Sequence, residues 1–148
     1  MKFLVINGVN LNLTGLRERE IYGTRTLAEI NEGILAYCRE RGDEVSFFQS
    51  NCEGALVDKL HEAFLTGGTD GIVLNAGAYT HYSYALRDAI AAIDIPVVET
   101  HISDVNGREA FRRVSVLADV CLCVVSGLGE RSYYVAIEKL RERGKGKV

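Results

Sequence analysis

Five apolar runs of strand length alternate with helix-like stretches along the chain, and this alternation restricts the possible folds more than any other feature. The runs are Lys2 to Ile6, Glu44 to Phe48, Gly71 to Leu74, Val97 to Thr100 and Val120 to Val125. Strands separated by helices form a parallel sheet, because each helix carries the chain back to the end where the next strand begins. Between them, Leu27, Ile30, Ile34, Leu35 and Cys38 follow a helical period that Gly42 stops. Leu56, Leu60, Ala63 and Phe64 predict a second helix, Tyr84, Ala85 and Ala89 a third, and Val135, Ile137 and Leu140 a last one. A further helical turn is expected over Arg108 to Val114, and the only proline, Pro96, stands at a strand start, where a missing donor is tolerated.

Right-handed crossovers applied to five strands give the order 2-1-3-4-5, a flavodoxin-like three-layer sandwich formed by residues 1–148 as one domain. A chain of 148 residues buries roughly 70% of its unfolded surface, enough for one core. With 47% apolar and 25% charged residues, neither a disordered nor a membrane protein is expected, and no export segment is read at Met1 to Ile6, where Asn7 and Gly8 interrupt the apolar run. Cys38, Cys52, Cys121 and Cys123 lack zinc or redox spacing and read as reduced, buried residues of a cytoplasmic protein, with Cys121 and Cys123 on one strand face. A formal charge of −3 gives no general attraction to nucleic acid or anionic membrane, so a small molecule is the expected partner. The basic tail Gly144 to Val148 is expected to fray.

In such sheets ligands bind beyond the carboxyl ends of the strands, near the switch between the first and third. Three segments meet there: the loop Asn7 to Gly23, the loop Asn75 to His81, and the strand end Glu99 to Ser103. The first is long for a connection and carries Asn10, Asn12, Arg17, Arg19 and Tyr22, the composition of a binding lid. A cation beside a tyrosine favours the phenolate, so Tyr22 is a candidate base, although it could equally pack where the loop rejoins the helix. Glu99 and His101 project from the same strand face, where a carboxylate orients an imidazole and suits it to general acid work. A metal held by His81, Glu99 and His101 is disfavoured by the absence of zinc spacing, and His61 reads as a bystander. Asn75 to Ala78 are small enough for close approach of a ligand, and Thr80-His81 leads toward a helix N-terminus that favours anions. Arg108 and Arg112, one turn apart, can both face the site. The lysines Lys2, Lys59, Lys139, Lys145 and Lys147 all lie away from the strand ends, and Gly127-Leu128-Gly129 is an incomplete dinucleotide fingerprint. Cofactor-free acid/base chemistry is what these residues suggest.

The segments NGVNLNLTGLREREIYG, LNAGAYTHYSYALRDAI and ETHISDVNGREAFRR resemble the three signatures of the type II 3-dehydroquinate dehydratases, in order and at the expected spacing. The resemblance implies a trans elimination of water from 3-dehydroquinate, through an enolate and without a cofactor, giving 3-dehydroshikimate. By resemblance, Tyr22 is the base, Arg17 the lid arginine that lowers its pKa, Asn10 a holder of the water that stabilises the enolate, and His101 the acid partnered by Glu99. Asn75, His81 and Arg112 correspond to groups holding ring hydroxyls, Ile102 and Ser103 to the carboxylate site, and Arg108 to a second lid arginine. Asp88 corresponds to an acid that reaches a neighbouring subunit's site in a dodecamer of four trimers. Val9 and Arg19 stand where proline is usual, Asp104 where asparagine is usual and Val114 where histidine is frequent; a carboxylate at 104 aimed at the substrate's own would weaken binding. Turnover of a related cyclic polyol acid, or a binding module on the same scaffold, are the alternatives that these residues leave open.

Overall fold

The computed structural model describes residues 1–146. Its elements are β1 (Lys2–Asn7), α1 (Arg19–Tyr22), α2 (Leu27–Arg39), β2 (Glu44–Gln49), α3 (Glu53–Thr66), β3 (Gly71–Asn75), α4 (Tyr84–Ala91), β4 (Val97–Thr100), β5 (Cys123–Val125) and α5 (Arg131–Lys145). The strands form one parallel sheet in the order β2-β1-β3-β4-β5, as the alternation predicts.

Alternation along β1 divides the core between the two faces of the sheet. Phe3 and Val5, with Val73 and Val98, pack against Ile30, Ile34 and Cys38 of α2 and Tyr133, Ile137 and Leu140 of α5. Leu4 and Ile6, with Ile72 and Leu74, meet Leu56 and Leu60 of α3 and Leu86 and Ile90 of α4. Each such aliphatic side chain removed from water contributes about 1.5–3 kcal/mol. A reciprocal cap between Thr26 and Glu29 starts α2 at a defined residue.

The register brings polar residues together at one end of the sheet. Asn7 lies level with Gln49 on one side and Asn75 on the other, and Leu74 pairs with Glu99. Backbones crowd just beyond, where Gly8 donates its N–H to the Asn75 carbonyl at 2.7 Å. A Cβ on Gly8 would stand 2.4 Å from the Ala76 carbonyl oxygen, so only glycine fits this crossing.

Several local expectations are corrected. The helices expected from Leu56 to Phe64 and from Tyr84 to Ala89 are present as α3 and α4, although Phe64 is exposed and the inner face of α4 is Leu86, Ala89 and Ile90, with Tyr84 and Ala85 outside. The last strand begins at Cys123 because Ala118–Val120 form a 3-10 turn whose Ala118 carbonyl takes the Cys121 N–H. That turn changes the phase of the chain, so Cys121 packs on the α3–α4 side of the sheet and Cys123 on the α2–α5 side rather than together. All four cysteines are free, but only Cys38 is buried, and Cys52 is exposed. Of the basic tail, Gly144 and Lys145 continue α5 and Gly146 caps it, while residues 147 and 148 lie outside the described residues. No described helix is long and apolar enough to cross a membrane.

Candidate active site

A pocket opens at the carboxyl ends of β1, β3 and β4, where the topology places it. Asn10, Arg17, Tyr22, Asn75, His81, His101, Ile102, Ser103, Arg108 and Arg112 all line it, together with Val9, Leu11, Gly77, Ala78 and Val105. Of the other anticipated residues, Glu99 lies behind His101, and Asp88 lies exposed on α4, outside this chain's pocket.

One wall is built on a strand. Glu99 is 1% exposed and His101 6%, and the ring Nε2 meets Glu99 Oε1 at 2.6 Å. The second carboxylate oxygen, Oε2, accepts a hydrogen bond from the Ser115 hydroxyl at 2.7 Å. With Nε2–H donated to Glu99, Nδ1 is the ring nitrogen left to exchange a proton with a ligand. His81 is fixed the same way, donating Nδ1–H to the Val114 carbonyl at 2.8 Å, which leaves its Nε2 free. Among the described residues no three His, Cys, Asp or Glu side chains converge as a metal site would need.

A second wall is a loop. Tyr22 ends the four-residue α1, and its hydroxyl accepts a hydrogen bond from Arg108 Nη1 at 2.7 Å. The Arg17 guanidinium lies 4.7 Å from the Tyr22 ring centroid and that of Arg108 5.3 Å, so two cations face one phenol. Arg108, not Arg17, therefore makes the contact with the phenolic oxygen. Arg17 instead pairs with Glu18 at 2.7 Å and keeps a buried Nε–H with no partner among the described residues, a donor available to a ligand. Glu18 and Asn10 both have left-handed backbones, φ 39° and φ 66°, which turn the loop back over the strands.

The floor is a buried polar network. Tyr133, which is completely buried, donates its hydroxyl to Asn7 Oδ1 at 2.5 Å and accepts from Asn75 Nδ2 at 3.0 Å. Burial pushes the Tyr133 pKa upward, so this phenol stays a neutral clamp. Asn75 Oδ1 accepts the Gly77 N–H at 3.2 Å, which holds its amide in one orientation.

The segment after β4 departs from the expected single helix. Asp104 caps a 3-10 turn over Val105–Gly107 by accepting the Asn106 N–H at 3.0 Å, Arg108 is extended, and a second turn covers Ala110–Arg113. Arg108 and Arg112 thus reach the pocket from separate turns. Arg112 is steadied at 2.8 Å by Glu109, whose carboxyl is held below the usual range by its own backbone N–H and then by the Arg112 side chain. The Asp104 carboxylate is occupied with its cap and does not line the main pocket. The N-terminus of α4 is closed as well, because the Ser83 hydroxyl accepts the Leu86 N–H and His81 ends a separate 3-10 turn. The cations that line the pocket are Arg17, Arg108 and Arg112, of which Arg17 pairs with Glu18 and Arg112 with Glu109.

A family model described as Dehydroquinase class II matches residues 1–141. The chain belongs to that family. The 3-dehydroquinate dehydratase of Caldicellulosiruptor bescii is 50% identical over 141 residues, covering 95% of this chain and 97% of that protein. The Chlorobaculum tepidum protein of the same name is 53% identical over 141 residues, covering 95% and 94%. The crystal structure of type II dehydroquinase from Butyrivibrio crossotus aligns with a TM-score of 0.93 at 51% identity, covering 95% of this chain and 97% of that one.

Within this dehydroquinase, Ser115, Tyr133 and Asn7 lie behind the lining and support it, Tyr133 and Asn7 through Asn75 and Ser115 through Glu99 and His101, and sequence reasoning misses all three. Asn7 carries a visible signal, since β1 and β3 both end an apolar run with asparagine at the same register. Ser115 and Tyr133 carry none, because their partners lie 16 and 58 residues away.

Proposed function

We infer that this class II dehydroquinase removes water from 3-dehydroquinate to give 3-dehydroshikimate, with Tyr22 as base and His101 as acid. The observation that carries this assignment is that two candidate proton-transfer groups, each held by its own partner, line one pocket with three arginines. Tyr22 is held by Arg108 at 2.7 Å. His101 is held by Glu99 at 2.6 Å.

Arg108 donates to the Tyr22 hydroxyl and Arg17 lies over the ring, which positions Tyr22 to take the proton from the carbon beside the ketone. The enolate that forms is stabilised through a water held by Asn10. His101 then gives the Nδ1 proton to the leaving hydroxyl, and elimination is complete with water and a conjugated enone as products. Asn75, His81 and Arg112 hold the ring hydroxyls, and backbone donors at Ile102 and Ser103 take the substrate carboxylate. The reaction balances without a cofactor.

None of the described lysines lines this pocket, so an imine-free route is the reading these residues support. The product places the enzyme in the shikimate pathway toward chorismate and the aromatic amino acids, in the cytoplasm. Exposed Asp88 on α4 serves a neighbouring copy's site in a dodecamer of four trimers.

Adding 3-dehydroquinate to purified protein and following the ultraviolet absorbance of the enone tests the activity. Absence of product at substrate saturation contradicts it. Borohydride added with substrate is expected to leave the enzyme active, and covalent trapping on a lysine would overturn the imine-free route.

A further inference from the structure

Glu99 is almost wholly buried, and a buried carboxylate needs a donor on each oxygen. His101 supplies one, at Oε1. The other comes from Ser115, whose hydroxyl lies 2.7 Å from Oε2. Ser115 has no alternative use for its proton. Its oxygen accepts the backbone N–H groups of Leu117 and Ala118, each at 3.1 Å, which occupies both lone pairs. The single hydroxyl hydrogen must therefore point at Glu99.

We propose that Ser115 is a positioning residue for the acid step, fixing the direction of the hydrogen-bond chain that runs from the backbone through Glu99 to His101. An ionised carboxylate accepts at both oxygens, so with Ser115 donating to Oε2, Glu99 meets His101 as an acceptor at Oε1 and Nε2 keeps its hydrogen. The transferable proton is thereby assigned to Nδ1, on the pocket side. The chain is anchored at its far end by the 3-10 turn Ala118–Val120, which starts just past Ser115. The neighbouring residues tie the same segment to the third-strand loop: the Val114 carbonyl accepts from His81, and the Val116 N–H donates to the Thr80 carbonyl at 2.9 Å.

This proposal rests on the dehydratase assignment, and three variants test it separately from that assignment. Ser115→Ala removes the donor and both acceptor lone pairs, Ser115→Cys keeps the volume with a weak donor, and Ser115→Thr retains the hydroxyl on a half-buried residue. Removing a hydrogen bond to a charged group is expected to lower kcat by about ten- to a hundredfold in the Ala and Cys variants. KM should stay near that of the wild type, and Thr should restore kcat. Deuterium exchange beside the substrate ketone, which requires only the base, should be preserved. Nuclear magnetic resonance of 15N-labelled histidine should show the Nε2–H signal of His101 in wild type and Thr protein, and a shifted or broadened signal in the Ala and Cys variants. Unchanged kcat and an unchanged histidine signal overturn the proposal while leaving the dehydratase assignment intact. Equal loss of exchange and elimination also overturns it, since that is the result of general structural damage. An inactive wild-type protein refutes the assignment itself, whereas the histidine signal still reads the Ser115 chain.

Discussion

Tyr22 stands on a four-residue helix reached through a left-handed glutamate, whereas His101 follows a fully buried strand with its ring against a fully buried carboxylate. The first group is held by cations that arrive from two different loops. The second is held by hydrogen bonds whose far end is backbone. A base that must approach substrate carbon gains from a movable support, while an acid whose proton must sit on a particular ring nitrogen gains from a rigid one. The cost of disturbing each wall should therefore appear in different observables.

The largest effects are expected from the groups themselves. Tyr22→Phe and His101→Ala should each lower turnover by about 10²–10⁴-fold, the usual contribution of a positioned acid or base. Thermal melting should separate them. Tyr22→Phe is expected within about 0.5 kcal/mol of wild type. His101→Ala, which strands a buried carboxylate oxygen, should lose about 3 kcal/mol. Equal stability losses would erase the distinction between the walls.

Next come the two arginines. Arg108→Lys keeps a charge but shortens the side chain and loses the planar guanidinium that reaches the phenol, and steady-state kinetics should show kcat lower by about ten- to a hundredfold. Arg17→Lys, which loses ring stacking, should cost about tenfold or less in kcat. The reverse ranking would place the catalytic cation on the lid.

Alkaline stability probes the surroundings of the strand wall. Burial, reinforced by the Glu99 charge, pushes the Cys121 thiol up from 9.0 to about 12. A group whose folded pKa lies above its unfolded value stabilises fully below the unfolded pKa and loses that contribution as pH rises through the folded one. Wild-type stability should thus decline from pH 9.0 toward about 12, and Cys121→Ala should flatten that decline in urea titrations at several pH values.

Asp104→Asn should have the smallest effect, because asparagine can accept the same Asn106 N–H. KM for the anionic substrate is expected to improve by less than about fivefold, and less at high salt.

The sheet order and the location of the pocket were legible in the sequence because apolar strand runs alternate with helical periods. The Glu99–His101 pair was legible because residues two apart on a strand share a face. The stretch from Val105 to Cys121 was not, since 3-10 turns are too short to show a period and each one resets the phase. That is why the sequence pattern puts Arg108 and Arg112 on one helix and Cys121 and Cys123 on one face, whereas the structure separates both pairs. The Arg108–Tyr22 contact joins residues 86 apart and leaves no local trace. Ser115 is similarly silent, because a serine between two valines gives no hint of the carboxylate above it.

Hydrogen–deuterium exchange at the carbon beside the substrate ketone, followed in heavy water by mass spectrometry, tests the division of labour most directly. His101→Ala retains the base and lacks the acid, so it should incorporate deuterium into 3-dehydroquinate faster than it eliminates water. Tyr22→Phe should do neither. Deuterium incorporation by Tyr22→Phe at the wild-type rate would contradict the assignment of base and acid to the two walls.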